Sequence, residues 1–332
     1  MAADSPSVNG HELWRVTTAE ALALVDEKLG SPEAWAASAL LRYRLSADFQ
    51  GDWKAEVGHW LHAARTFGFL DALLRPIFGE RRRRRVNPDR TAGDRRHLKL
   101  HQHLSEALFA HYFTGLGWSF QGWNTTPGEP IDIDLAMKTP DGALVELQVK
   151  TPDEPGDLVN GQYQGGNSDQ RVHEALDHAF EQLPNPARSV AMVGVFAQRD
   201  FHLSLKPVCV VRKLLGSTAQ MHGARDVFLE RSRFGEFMRG QLNHVAGVVL
   251  VDLLRTAEFV FGEDTADVVN RLTYPCTVLL NPNAAHPANA DWFPRARVLT
   301  LESDTFRWVR GEPPDRHGLP SGTQIVHELP ED

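Results

Sequence analysis

Apolar residues recur at three- and four-residue intervals up to about residue 78, the period of amphipathic helices packed on one another. Thr17 or Thr18 stands where it can cap a helix over residues 19–29, and Ser31-Pro32 opens a second that runs through Trp35, Leu40 and Leu41. A third, over 53–64, gathers Val57, Trp60 and Leu61 on one face, and 69–78 supplies a short fourth. The pattern predicts a small all-α domain over 1–78, with a polar, irregular start at residues 1–10.

The periodicity then disappears. Residues 79–96 carry Arg81 to Arg85 in an unbroken run with Pro88 and Gly93, the composition of a polar linker. Beyond it, a helix over 98–116 is followed by period-2 alternation at 118–123, 131–137 and 143–149, which predicts three strands. A helical pattern over 169–183 ends at Pro184, and strands are expected at 190–197, 208–211, 245–253 and 277–280, with a helix over 224–242. The runs 190–197 and 245–253 are nearly all apolar, as strands covered on both faces should be. The fold class expected for 97–332 is therefore α/β, a mixed sheet flanked by helices, with an irregular tail from Gly311.

Composition narrows the function classes. No apolar run approaches the length needed to cross a bilayer, no leader pattern precedes the first helix, and the expected location is cytoplasmic. Cys209 and Cys276 both lie in apolar runs and read as buried reduced thiols rather than as a disulfide or a zinc site. A net charge of -8 excludes a surface that binds nucleic acid all over, so any phosphate contact must come from local clusters such as the Arg81 to Arg85 run, with Arg83 at its centre.

Candidate chemistry concentrates in Pro130 to Lys150. Asp132 and Asp134 are two residues apart, which places both carboxylates on one face of a strand while Ile131, Ile133 and Leu135 take the other. The turn Thr139-Pro-Asp-Gly142 reverses the chain into Val-Glu-Leu-Gln-Val-Lys, where Glu146, Gln148 and Lys150 share a face by the same rule. Buried charge is expensive without a partner, and oxygen-only donors suit Mg²⁺, for which Mn²⁺ can substitute. An ammonium at Lys150 can offset the charge that builds on a phosphoryl group during in-line attack.

These residues resemble the PD-(D/E)XK, or restriction-endonuclease-like, nuclease superfamily, over about residues 97–255. Pro130-Ile-Asp-Ile-Asp134-Leu is similar to its acidic strand and Gln148-Val-Lys150 to its E-x-K element, in the Q-x-K form of Mrr-like restriction enzymes. The resemblance implies a metal-dependent nuclease acting on DNA, with Asp134, Gln148 and Lys150 as catalytic residues. Asp134 and Gln148 would hold the metal, supported by Asp132 and Glu146. Relatives often place a further metal-supporting Glu on the preceding helix; Glu106 fills that position, or else it is a partly exposed Glu paired with His103. The Q-x-x-x-Y element of some relatives is not matched by Gln162-Tyr163-Gln164.

A Gly-rich stretch over 152–168 leads into a helix start where Gln170 and Arg171 are candidates for backbone-phosphate contacts. By resemblance the chain is an endonuclease effector of a bacterial defence or restriction system, its N-terminal helices recruiting a partner protein, and homo-oligomerisation is compatible with that role. A repair or recombination nuclease specific for DNA structure is one alternative. A catalytically inactive binding module that keeps the nuclease fold is the other.

Overall fold

Thr17 begins the first helix through a reciprocal cap. Its hydroxyl accepts from the Glu20 amide at 3.2 Å, while the Glu20 carboxylate accepts from the Thr17 amide at 2.8 Å. Two of the unpaired N–H groups that open any helix are thereby satisfied. The helix, α1 (Thr18–Leu29), packs on α2 (Gln50–Thr66), followed by α3 (Leu70–Gly79) and α4 (Arg95–Gly115). A Cβ at Gly58 would fall 2.1 Å from the carbonyl oxygen of Ala21, so α1 and α2 approach as closely as only glycine allows.

The computed structural model describes residues 17–29, 50–79, 95–124, 133–152, 158–159, 162–163, 168–198, 207–220, 226–261, 266–273, 276–294, 296–302 and 305–310. The expected helix after Pro32, the five-Arg run with Arg83, Asp132 and the tail from Gly311 lie outside them. Two compact units divide the chain at 115/116, with 255–273 joined to the first. Composition puts the boundary at the 79–96 linker, but α4 groups with α1 to α3. Its burial explains why: Leu104 through Ala110 are all buried, too much apolar surface for a helix exposed along one side. Among the described residues, no helix is long and apolar enough to span a membrane.

The second unit is built on a mixed sheet. Strands β1 (Ser119–Trp123), β2 (Leu135–Lys138) and β3 (Leu144–Lys150) form an antiparallel meander. The short pair β4 (Leu158–Val159) and β5 (Gln162–Tyr163) and helix α5 (Ser168–Gln182) then lead to β6 (Val190–Gln198), which pairs parallel to β3. Helix α6 (Pro207–Leu214) precedes β7 (Gly216–Gln220) and β8 (Asp226–Phe234). Strand β9 (Gly247–Phe261) lies parallel to β6 over residues 247–253, and its end from Arg255, with β10 (Ala266–Thr273) that pairs with β9, is grouped with the first unit. The last strands are β11 (Cys276–Leu280), β12 (Arg297–Glu302) and β13 (Thr305–Arg310). The order across the sheet is β1-β2-β3-β6-β9-β11-β12-β13-β8-β7. Val172, Leu176, Ala179, Phe180 and Leu183 of the α5 segment join Val210, Val211 and Leu214 of α6 in a core that includes Ala191, Val193 and Val195 of β6. Both helices thus cover one face of the sheet centre.

Three segments differ from the sequence expectation. Residues 208–211 are helical, not a strand. Pro207 occupies the first turn, where its missing N–H costs nothing, and Val210, Val211, Leu214 and Leu215 fall on one buried helical face, so packing overrides the strand preference of the valines. Residues 224–242 do not form a helix: β8 runs through 226–234 and a turn-rich segment follows. Val227 pairs with Phe306, and a partner so distant along the chain leaves no local pattern. The strand expected over 131–137 begins only at Leu135, with Ile133 and Asp134 ahead of it. Cys276 is a free, buried thiol, while Cys209 falls in α6.

Lys213 on α6 binds Asp177 of α5 at 2.6 Å and Glu236 at 2.9 Å, with its side chain only 10% exposed. Burial pulls its pKa down most strongly, yet the bonds and charges of Asp177 and Glu236 together outweigh burial and hold it above the ordinary lysine value. A cation with a raised folded pKa stabilises fully below the unfolded value and loses its contribution as pH rises through the folded one. Lys213→Met is therefore expected to lower the melting temperature at neutral pH, with the difference from wild type closing only as the pH rises past the ordinary lysine value. Thermal melts of both proteins across that range check it.

Candidate active site

Strand alternation settles which side chains of β3 work together. Val145, Leu147 and Val149 are fully buried on one face, and Glu146, Gln148 and Lys150 take the other. The parallel register sets these three beside Ala191, Val193 and Val195 of β6, so the polar row lies on the face that α5 covers. A polar row under a helix must find partners or pay for lost hydration.

Most of its groups do find them. The Ser189 hydroxyl donates to Glu146 Oε2 at 2.7 Å. Gln182, the last residue of α5, presents Oε1 to two donors, Lys150 Nζ at 2.5 Å and Gln148 Nε2 at 3.1 Å. Gln148 is fully buried, and its Oε1 has no hydrogen-bond partner among the described residues. An amide oxygen sealed from water without a donor costs about 1–3 kcal/mol unless something else coordinates it.

Asp134 sits in a bend just before β2 and is 6% exposed. Its Oδ2 accepts from the Val149 amide at 2.7 Å, while its own carbonyl accepts from the Asn124 amide at 2.8 Å. The carboxylate therefore caps the β2–β3 ladder where the backbone pairing stops, fixed from β1 on one side and from β3 on the other. The ladder ends on the pair Leu135 with Leu147, and one step further sets Asp134 across from Gln148. Asn124 has φ 47°, in the left-handed region that Asn tolerates, and its Oδ1 is also buried without a partner among the described residues.

The hairpin that carries these residues is anchored at its turn. Thr139 accepts from the Ala143 amide through its hydroxyl and donates to Asp141, whose other oxygen accepts from Trp292 Nε1 at 2.8 Å. Trp118 Nε1 donates to the Trp292 carbonyl at 3.3 Å and the two rings meet edge to face. The bonds from Thr139, then Trp292, hold the Asp141 carboxyl below its usual pKa.

Three further sequence candidates fall on described helices, Glu106 on α4 and Gln170 and Arg171 on α5. Glu106 belongs to the first unit, on α4, and has His103 Nδ1 at 3.1 Å from both carboxylate oxygens; the pairing is present, but at 1% exposure Glu106 is buried rather than partly exposed. Gln170 is exposed and donates to Glu174 at 2.9 Å along α5; Arg171 follows it in the same turn. Among the described residues, no three His, Cys, Asp or Glu side chains gather as a metal-binding group. The β2–β3 register, carried one step beyond Leu135 and Leu147, sets one carboxylate residue, Asp134, across from one amide residue, Gln148.

Sequence reasoning missed Gln182 and Ser189. Ser189 carries no motif. Gln182 borders the apolar stripe of its helix and precedes Leu183-Pro184, a position that reads as an ordinary helix end. Comparison of the chain with protein-family models, with curated proteins and with solved structures finds no match.

Proposed function

We propose that this chain is a Mg²⁺-dependent nuclease of the PD-(D/E)XK kind that hydrolyses phosphodiester bonds of DNA. The observation that carries the reading is the orphaned, fully buried Oε1 of Gln148, a residue that the β2–β3 register sets across from Asp134, with Lys150 two residues further on the same face. The order β1-β2-β3-α5-β6, with β3 antiparallel to β2 and parallel to β6, supports the same superfamily.

Asp134 and Gln148 would hold the ion: a carboxylate and an amide carbonyl are hard oxygen donors, and so short a donor set leaves positions for phosphate oxygens and water. When bound, Mg²⁺ supplies Lewis-acid polarisation of the scissile phosphate. Lys150 would bring an ammonium group to the phosphoryl oxygens, held in place by the neutral Gln182 amide. Asp134, held by the Val149 and Asn124 amides, keeps its position when substrate arrives.

The effector role in bacterial defence or restriction rests on the Q-x-K resemblance, and recruitment of a partner rests on the N-terminal helical stretch over 1–78 and its polar linker, similar in size to the adaptor domains of such systems. A second reading, an inactive binding module on the same fold, is favoured by the absence of a three-member acidic or imidazole group among the described residues. The two separate in one assay. Purified protein is incubated with supercoiled, linear and single-stranded DNA and with RNA, in Mg²⁺, Mn²⁺ or chelator. Chelator-sensitive cleavage of DNA is the expected result. Cleavage of RNA alone removes the substrate assignment, and no cleavage with any substrate and ion removes the enzymatic one.

A further inference from the structure

We propose that Gln182 is a positioning residue that fixes the polarity of Gln148, making a neutral amide oxygen, rather than a carboxylate, the group this site offers beside Asp134. The proposal rests on the metal-dependent reading above.

The argument needs only donor and acceptor chemistry. A glutamine amide can be turned over without changing its outline, so which end faces which neighbour has to be deduced from the partners. Lys150 settles the first step, because an ammonium only donates: the Gln182 atom that it approaches at 2.5 Å must be the oxygen. The second step follows. Gln148 approaches that same oxygen at 3.1 Å, so its near atom must be Nε2. The third is then forced, since Oε1 of Gln148 can only face away from Gln182, and it is buried there with no donor among the described residues. A chain of donation from Lys150 and Gln148 into Gln182 thus leaves one buried acceptor unsatisfied on the residue that the register sets across from Asp134.

The same chain explains why glutamine suits position 148. A carboxylate there would set oxygen against Gln182 Oε1, two acceptors in contact. Turning the Gln182 amide would relieve the clash only by taking away the acceptor that holds Lys150. Gln148 and Gln182 therefore form a matched pair, although they stand on different elements with the whole β4–β5–α5 crossover between them.

Two variants test it. Gln182→Leu fills the space but accepts nothing; Gln182→Glu keeps an acceptor for both donors. The first readout is metal-free: the side-chain amide signal of Gln148 in ¹⁵N-glutamine-labelled full-length protein, identified by its loss in Gln148→Leu. It is expected to be protected from solvent exchange in wild type and in Gln182→Glu, and to lose protection in Gln182→Leu. The second is Mg²⁺ affinity by calorimetry, where Gln182→Leu is expected to bind about ten- to a hundredfold more weakly and Gln182→Glu to retain binding. A residue that merely packs would give the reverse order, with leucine tolerated and the buried carboxylate harmful. Unchanged protection of Gln148 in Gln182→Leu overturns the proposal, as does unchanged Mg²⁺ affinity in that variant. If the amide signals behave as expected and no protein, wild type included, binds Mg²⁺ or Mn²⁺, the metal-dependent reading fails and the ligand role of Gln148 falls with it.

Discussion

Lys150→Ala is expected to lower Mg²⁺-dependent DNA cleavage by about 10²–10³-fold, the cost of removing one preorganised donor from a developing oxyanion. The loss should be chemical rather than structural. Lys150 is at the end of β3, only partly buried, and its backbone stays in the ladder with Val195 whatever the side chain. Truncation leaves Gln182 Oε1 with Gln148 Nε2 as donor, so no amide oxygen is newly abandoned. The melting temperature should accordingly stay near that of wild type. The measurement is single-turnover cleavage of the preferred substrate by both proteins, at matched Mg²⁺ and with a chelator control. Equal rates would sink the catalytic assignment of Lys150, because a contaminating nuclease cuts alike in both preparations. Lys150→Arg keeps the charge but spreads it over a planar fork, and is expected to recover only part of the activity.

The β2–β3 hairpin is legible in the sequence because strand alternation is a strictly local rule and the turn residues Pro140, Asp141 and Gly142 mark the reversal. Alternation alone assigns Gln148 and Lys150 to one face, and they occupy it. Helices α2 and α5 can be placed for the same reason, by the spacing of Val57, Trp60 and Leu61 or of Val172, Leu176 and Ala179. What stays hidden depends on distant contacts. The strand β8 exists because Val227 meets Phe306 and Phe228 meets Ala219, neither of which a window around residue 227 reveals in full. The valines in 208–211 mislead because β-branching is a weaker signal than a proline at the first turn and a buried helical face. In the site, Gln182 is invisible for a related reason. Its importance comes from an atom it offers to a strand more than thirty residues back, and nothing in its own neighbourhood records that. Asp134 stands out in the sequence as an acidic residue beside apolar ones, but not as a structural cap, since its bond to the Val149 amide requires the strand to stop where it does.

That double role makes position 134 the sharpest test of structure against chemistry. Asp134→Ala removes the acceptor of a buried amide, and an unsatisfied N–H of this kind costs about 1–3 kcal/mol, so the variant should melt earlier as well as lose activity. Asp134→Asn separates the two effects. Its side-chain oxygen can still accept from Val149, the outline is unchanged, and the fold should keep most of its stability, while the negative charge is gone. Among the described residues, the other oxygen donor assigned to the ion is the neutral amide of Gln148, so the main charge that would bind a divalent cation is removed. The expected result is loss of measurable Mg²⁺ binding and of cleavage in a protein that remains folded, checked by calorimetry and thermal melts on the same preparations. If Asp134→Asn binds Mg²⁺ as wild type does, Asp134 is not a metal ligand and its carboxylate has a structural role, holding the Val149 amide. If Asp134→Asn unfolds as readily as Asp134→Ala, the charge itself stabilises the cap. Charge-assisted bonds from a backbone N–H are stronger than neutral ones, and that outcome would make the carboxylate a structural requirement before it is a catalytic one.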